Sequence, residues 1–276
     1  HSRLESDRVE FNRYSGFMLA TGYPHLITKL DNDSLYLRAD TLLVMQAGDA
    51  PLLHYVKHSE GKGMNEKSAV VYNLLYSDSG FIHKDTLQQK LVMANHRVKV
   101  FSDSLQAVCD SLAYSQSDST FRLFKQPVLW NTRHQAVADT IFLVTRMSKL
   151  QRAQLLSSAF LCSESARQLY DQVGGNFMDA WFRDNELQWV HVNQNAKCVY
   201  YAKDESGAYV GMNRSASSQL DVYFEQKQID HLVMKENPEG TFYPFDQIAA
   251  KDRQLDAFHL YTERRPVHRE EIFERN

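Results

Sequence analysis

A pair of histidines is the clearest candidate for chemistry in this sequence. His54 and His58 stand four residues apart with Glu60 close by, and on a helix two imidazoles at this spacing could share a metal ion. The segment around them, residues 57–68, is polar, contains glycine and has no hydrophobic period, which is typical of a loop or linker. Solvated loop histidines are the interpretation we favour, and the sequence therefore predicts no metal site.

Catalytic and ligand-binding motifs are incomplete wherever they begin. The sequence contains no GxSxG, HExxH or GxxxxGK[ST], and residues 61–63 lack the remaining parts of a phosphate loop. The run from Asp31 to Ser34 resembles the start of a calcium loop, but Tyr36 stands in place of its glycine and Leu42 in place of its final glutamate. Carboxylates are plentiful, so acid/base hydrolysis stays open as a lesser alternative, although no pair is singled out. We expect no enzyme activity and no cofactor.

The composition is that of an ordinary folded protein. The chain has 276 residues, of which 43% are hydrophobic and 24% charged, and this excludes intrinsic disorder. A formal net charge of -3 provides no basic field for nucleic acid, and no apolar run approaches the roughly 18 to 20 residues of a membrane-spanning helix.

Cys109, Cys162 and Cys198 form no CxxC motif; three unpaired buried cysteines are favoured, with one disulfide as the alternative. The first residues form no apolar signal-peptide core, so we expect that a signal peptide was removed or lies outside this chain.

Short alternating segments indicate β-strands along much of the chain. They are rich in Val, Tyr, Phe and Leu and are bounded by Asp, Asn, Ser or Lys: 97–101, 187–192, 199–202, 220–224 and 229–234. Regular strands of this kind suggest a sandwich, a barrel or a solenoid. Residues 148–170 differ, because their local pattern slightly favours an amphipathic helix over two strands joined at 163–165. The pair Gly174-Gly175 is typical of a hairpin or a β-bulge.

One short motif, Asp-Ser/Thr-Leu/Ile, recurs along the chain. It begins at Asp33, Asp40, Asp85, Asp103, Asp110 and Asp139. Two pairs, 33/40 and 103/110, are seven residues apart, but no apolar heptad runs through them, which excludes a coiled coil. The motif predicts one strand-turn unit that is used several times.

The stretch from Val98 to Tyr114, followed by 127–130 and 138–141, resembles the OstA-like family, the organic-solvent-tolerance and lipopolysaccharide-transport group of periplasmic proteins. Segments 170–176, 221–224, 241–244 and 263–266 resemble the larger members of that family. The resemblance touches most of the chain between about residues 9 and 272, whereas the region from 46 to 95 departs from the pattern.

The resemblance implies an all-β fold, an open antiparallel β-jellyroll or "β-taco" of two facing sheets built from repeated strand-turn units. Residues 1–147 would form its N-terminal portion and residues 148–276 a continuation of the same sandwich, with 148–170 as strands. The implied function is non-enzymatic: a periplasmic protein that holds the acyl chains of lipopolysaccharide between its sheets for delivery to the outer membrane. A β-sandwich that binds carbohydrate, or an adhesin-type module, is the alternative, and Trp130, Trp181 and Trp189 would be its stacking platforms.

The motif also predicts which side chains line the space between the sheets. In a strand, residues two and four beyond each Asp share one face. For the three best copies these residues are large and apolar, and we expect them to bind lipid: Leu42, Val44, Leu112, Tyr114, Ile141 and Leu143. An ordinary closed core is the alternative.

The partners implied by the resemblance are the lipid A acyl chains of lipopolysaccharide and other lipopolysaccharide-transport proteins, which would join by edge-strand addition. Homo-oligomers formed through the same edges are a further expectation, and nucleic acid is not a partner. The expected end strands are Arg8–Phe11 and Leu255–Tyr261, neither of which contains proline. A competing view is that Arg8 and Glu10 act as gatekeepers that keep the chain monomeric.

Overall fold

A computed structural model describes residues 2–29, 33–46 and 90–274. Several features of the sequence lie outside the described residues: His54, His58 and Glu60, residues 57–68, residues 61–63, Asp31 of the calcium-loop resemblance, and the motif copy at Asp85.

The described residues form an all-β protein of 18 strands, all paired antiparallel. The strands are β1 (Ser2–Glu5), β2 (Arg8–Asn12), β3 (Phe17–Thr21), β4 (His25–Lys29), β5 (Ser34–Arg38), β6 (Thr41–Gln46), β7 (Lys90–Phe101), β8 (Gln106–Ser115), β9 (Thr120–Phe124), β10 (Val128–Trp130), β11 (His134–Val137), β12 (Thr140–Arg146), β13 (Lys149–Ala166), β14 (Leu169–Arg183), β15 (Glu186–Lys203), β16 (Tyr209–Glu225), β17 (Gln228–Lys235) and β18 (Glu239–Pro244). In the part of the chain that the structure describes, no helix is long and apolar enough to span a membrane. The predicted fold class is confirmed.

The sheet is folded along one line into two facing leaves. Leaf 1 runs β1-β4-β5-β7-β8-β10-β11-β13-β14-β15-β16-β18, and leaf 2 runs β2-β3-β6-β7-β8-β9-β12-β13-β14-β15-β16-β17. The long strands β7, β8 and β13 to β16 belong to both leaves, with one half in each. Residues of both leaves form one hydrophobic core between them.

The fold line, which we call the seam, has a distinct backbone conformation. Wherever the chain crosses from leaf 2 to leaf 1 in β7 and beyond, two successive residues adopt positive φ, and the register shifts at these points in β7, β13 and β15. The pairs are His96-Arg97, Lys125-Gln126, Ser157-Ser158, Gln194-Asn195 and Glu236-Asn237. Because β-branched residues are strained at positive φ, the polar, unbranched residue types at these ten positions suit the bend.

Three of the five described copies of the recurring Asp motif lie at the crossings in the other direction. Asp40, Asp110 and Asp139 stand at the seam, immediately before or within the strand segments that enter leaf 2. Asp40 accepts hydrogen bonds from Arg97 Nε at 3.0 and 3.1 Å, and Asp110 lies 2.9 Å from Lys125 Nζ. In each pair, the carboxylate lies where the chain enters leaf 2 and the cation lies where the chain returns to leaf 1. The ion pairs therefore link neighbouring strands along the seam.

The sequence-based helix over part of 148–170 is wrong. Residues 149–166 form the single 18-residue strand β13, which bends at Ser157-Ser158, so the alternative of a turn at 163–165 is also wrong. The resemblance implied strands here, and residues 149–166 are indeed a strand. Gly174-Gly175 lies at a register shift between β14 and β15, as the bulge interpretation predicted. A Cβ on Gly175 would lie 2.3 Å from Val192 Cγ1, which leaves no room for a side chain there.

Residues 245–274 contain no strand and form an extended segment, the strap, that crosses the outer side of leaf 1. Short 3-10 helices interrupt it at Phe245–Gln247, Ala250–Asp252, Thr262–Arg264 and Arg269–Ile272. Ile248 and Leu255 pack on the outward side chains of β13, β15 and β16, and Phe273 reaches Tyr36 in β5. The predicted end strand Leu255–Tyr261 is therefore wrong: these residues cover a sheet face and are not an edge.

Buried glutamines of leaf 1 hold the strap by its backbone. Gln172 donates to the Arg253 carbonyl at 2.8 Å and accepts from the Leu255 N–H at 2.8 Å. Gln135 makes the equivalent pair with the His259 carbonyl at 2.7 Å and the Tyr261 N–H at 2.8 Å. Each side-chain amide thus makes the two hydrogen bonds that a peptide group of a neighbouring strand would make. These bonds satisfy backbone groups that the irregular strap would otherwise leave unpaired.

Candidate functional site

The space between the leaves contains a groove of about 750 Å³. This volume falls in the range of small-molecule and cofactor sites. Its walls are apolar because period-2 alternation places the Leu, Val, Ala and Met residues of both leaves on their facing sides. Leaf 1 contributes Leu4, Leu26, Leu35, Leu37, Val100, Ala107, Leu129, Ala136 and Leu161; leaf 2 contributes Met18, Val44, Val92, Leu112, Tyr114, Phe121, Leu123, Leu143, Ala153, Leu155, Met178, Ala180, Leu187 and Val190.

The rim of the groove is polar. Hydroxyl and amide side chains at strand ends and hairpin turns surround the apolar walls: Ser2, Thr28, Ser102, Ser104, Gln116, Ser119, Asn131, Thr145, Ser148 and Asn185. Among the described lining residues, Lys90 is the only one that carries a full charge at neutral pH. The groove therefore matches an amphiphile whose chain is buried and whose head group remains at the rim.

All six predicted lipid-binding residues face the space between the leaves. Val44, Leu112, Tyr114 and Leu143 line the groove. Leu42 and Ile141 do not line it; they are fully buried near the seam within the same core cluster. The contact of these six residues with lipid remains a prediction.

Sequence reasoning missed the opposite wall, although the same rule could have found part of it. Residues two and four beyond Asp33 are Leu35 and Leu37, and residues two and four beyond Asp103 are Leu105 and Ala107. All four line the groove from leaf 1 or its hairpin turn. The copies of the Asp motif at Asp33 and Asp103 lie seven residues before the seam aspartates Asp40 and Asp110. These seven residues span leaf 1 from its outer edge to the seam.

A buried carboxylate lies in leaf 1 near the β13–β14 turn. Asp171 is 4% exposed; it accepts the Tyr201 N–H at 2.9 Å and the Ser165 hydroxyl at 2.8 Å. Burial raises the pKa of Asp171 to about 6, and these hydrogen bonds only partly oppose the effect.

The three cysteines are buried and unpaired, as predicted. No group of three His, Cys, Asp or Glu side chains within residues 2–29, 33–46 and 90–274 is arranged to hold a metal ion.

The tryptophans proposed as sugar platforms are either stacked against neighbouring side chains or buried. Trp181 and Trp189 are direct cross-strand neighbours and stack on each other with centroids 4.0 Å apart. Arg152 covers the Trp181 ring at 5.3 Å and Tyr223 stacks on Trp189 at 6.2 Å. Trp130 is 3% exposed and belongs to a cluster that includes Tyr261 of the strap. A saccharide would find no aromatic platform at these rings.

Comparison with known proteins gives a partial match only. No family model matches this sequence, and no curated protein matches it. Among solved structures, LptH of Pseudomonas aeruginosa is similar; it is described as the LptA-homologous periplasmic component of the conserved lipopolysaccharide transport device. The two chains share 10% identity with a TM-score of 0.40, over 51% of this chain and 95% of that chain.

Proposed function

We propose that this protein binds the acyl chains of an amphiphilic lipid between its two leaves. The groove of about 750 Å³, with apolar walls from both leaves and a polar rim, is the observation that supports this function. Lipopolysaccharide is the lipid that the sequence resemblance implies, and in that role the protein is a non-enzymatic periplasmic carrier that delivers it towards the outer membrane.

Partial burial of acyl chains suits capture followed by release. Each buried methylene contributes about 0.8 kcal/mol to binding. Partial burial of a chain therefore holds the lipid without making its transfer to a partner prohibitively slow. At the rim, Lys90 offers a cation to an anionic head group.

Unpaired strand edges at the N-terminal end support a partner role. Among the described residues, β1 pairs only with β4 and β2 only with β3, and Ser2, Leu4 and Met18 of this end line the groove. Strands added by a related protein or a second copy would extend the groove from one molecule into the next. The Arg8–Glu10 ion pair on β2 is the feature that opposes such pairing.

Matched charge substitutions test lipid binding. Val44 lines the groove, whereas Val233 in β17 is 39% exposed on the other side of leaf 2. Val44→Asp should weaken displacement of a fluorescent acyl probe by lipopolysaccharide at least tenfold and remove lipid that copurifies with the chain, as measured by mass spectrometry. Val233→Asp should change neither. Equal binding by the two variants, both with wild-type circular dichroism, would contradict the proposal.

A further inference from the structure

A polar side chain, His134, faces the apolar space between the leaves. In β11, Ala136 lines the groove and Gln135 contacts the strap outside, so alternation turns His134 inward. His134 lines the groove, is 8% exposed, and directs its ring against Phe224 of leaf 2, with centroids 5.8 Å apart at an angle of 72°. An imidazole at this position requires an explanation, because a buried polar group normally has a hydrogen-bond partner.

The hydrogen bonds around Asn131 determine the tautomer of this imidazole. Asn131 Oδ1 accepts the backbone N–H groups of Arg133 at 3.2 Å and of His134 at 3.0 Å, so this atom is an acceptor. His134 Nδ1 lies 3.0 Å from the same oxygen and must donate to it. In a neutral imidazole, a proton on Nδ1 leaves Nε2 as an acceptor.

Nε2 has no partner for its lone pair. Among the described residues no donor reaches this atom, which is buried from solvent. Burial, with help from the nearby cations Arg133 and Lys227, lowers the pKa of His134 to about 4, so the ring stays neutral at physiological pH. A buried acceptor without a donor is costly, and a bound molecule that supplies a donor would recover that cost.

We propose that His134 Nε2 accepts a hydrogen bond from a hydroxyl or amide N–H group of the lipid, so that the groove selects acyl chains that carry such a donor over plain hydrocarbon chains. The inference rests on the proposed function, which supplies the acyl chain. It adds a specificity-determining residue and a chemical class of ligand.

Two pairs of probes test this selection in the full chain at pH 7. The first pair is 3-hydroxytetradecanoic acid and tetradecanoic acid, which differ by a hydroxyl donor. The second is N-tetradecanoylglycine and O-tetradecanoylglycolic acid, which differ by an amide N–H donor. In the wild-type protein the donor-bearing member of at least one pair should bind about tenfold more tightly, equivalent to about 1.4 kcal/mol.

The variants assign any preference to His134. In His134→Phe the preference within each pair should disappear, because phenylalanine retains the ring that meets Phe224 but offers no acceptor nitrogen. His231→Phe, a substitution on the outer side of leaf 2, should keep the preference. A spectroscopic measurement covers the case in which His134→Phe does not fold: in the ¹⁵N-histidine-labelled wild type, the Nε2 resonance should shift with the donor-bearing chains and not with the others.

The outcomes separate this inference from the function on which it rests. If the two members of each pair bind with equal affinity, or if His134→Phe keeps the preference, then the assignment to His134 is wrong, while acyl binding stands. If none of the probes binds, the proposed function itself is wrong and the inference falls with it.

Discussion

Two buried groups should pull the stability of this protein in opposite directions over the same pH interval. The pKa of Asp171 rises from 3.8 to about 6 on folding, so the native chain holds this proton more tightly and stability falls as the pH rises through that interval. The pKa of His134 falls from 6.5 to about 4, so the native chain holds its proton more weakly and stability rises with pH. At 1.36 kcal/mol per pH unit, each effect amounts to about 3 kcal/mol. The two slopes should nearly cancel in the wild type.

Single substitutions should reveal each slope separately. Asp171→Asn keeps an acceptor for the Tyr201 N–H, and its stability relative to wild type should increase by about 3 kcal/mol between pH 4 and pH 7. His134→Phe should show the reverse, a decrease of about 3 kcal/mol relative to wild type over the same interval. The measurement is urea unfolding at constant m-value at pH 4, 5, 6 and 7. The double variant serves as the control and should follow the wild type in slope.

Parallel pH profiles would refute this reasoning. If Asp171→Asn and His134→Phe both followed the wild-type profile at a constant offset, neither group would change its pKa on folding. Differences from wild type remove the contributions of other carboxylates. Asp110 and Asp221, for example, have lowered pKa values and lose their stabilising effect mainly below pH 4.

Three further substitutions test the strap, the bulge and the edge. Gln172→Ala removes two hydrogen bonds to the strap and should cost about 2 to 3 kcal/mol in urea unfolding, whereas Ala at the exposed Gln228 should cost less than about 0.5 kcal/mol. Gly175→Ala should destabilise by about 1 to 3 kcal/mol, because its Cβ meets Val192 at 2.3 Å, while Gly174→Ala, with a nearest contact of 3.5 Å, should cost clearly less in the same assay. Val9→Pro should abolish any rise in mass with concentration in light scattering; a constant wild-type monomer mass would contradict self-stacking through β2.

The sequence misled most where the strap covers leaf 1. In the leaf 1 half of β13, Leu161 faces the groove while Phe160 and Cys162 face the strap, so both sides of this strand are apolar. Simple alternation is lost, and Leu156, Phe160 and Leu161 mimic the spacing of a helix. No local pattern predicts the strap, because it is held by contacts distant in sequence; the two hydrogen bonds of Gln172 join residues more than 80 positions apart.

Part of the fold was predictable from local chemistry: alternation predicted several strands and their inward faces, and the Asp-Ser/Thr-Leu/Ile motif predicted a repeated strand-turn unit. These rules predicted that six apolar residues face the space between the leaves, Leu42, Val44, Leu112, Tyr114, Ile141 and Leu143, and the strand expected at Arg8–Phe11 lies within β2. Packing between distant segments sets which leaf each segment joins, holds residues 255–261 over a sheet face, and brings His134 into the groove wall with an unsatisfied nitrogen. The physical reason is that a period of two specifies the side of a strand but not the strand opposite it, and this pairing depends on contacts distant in sequence.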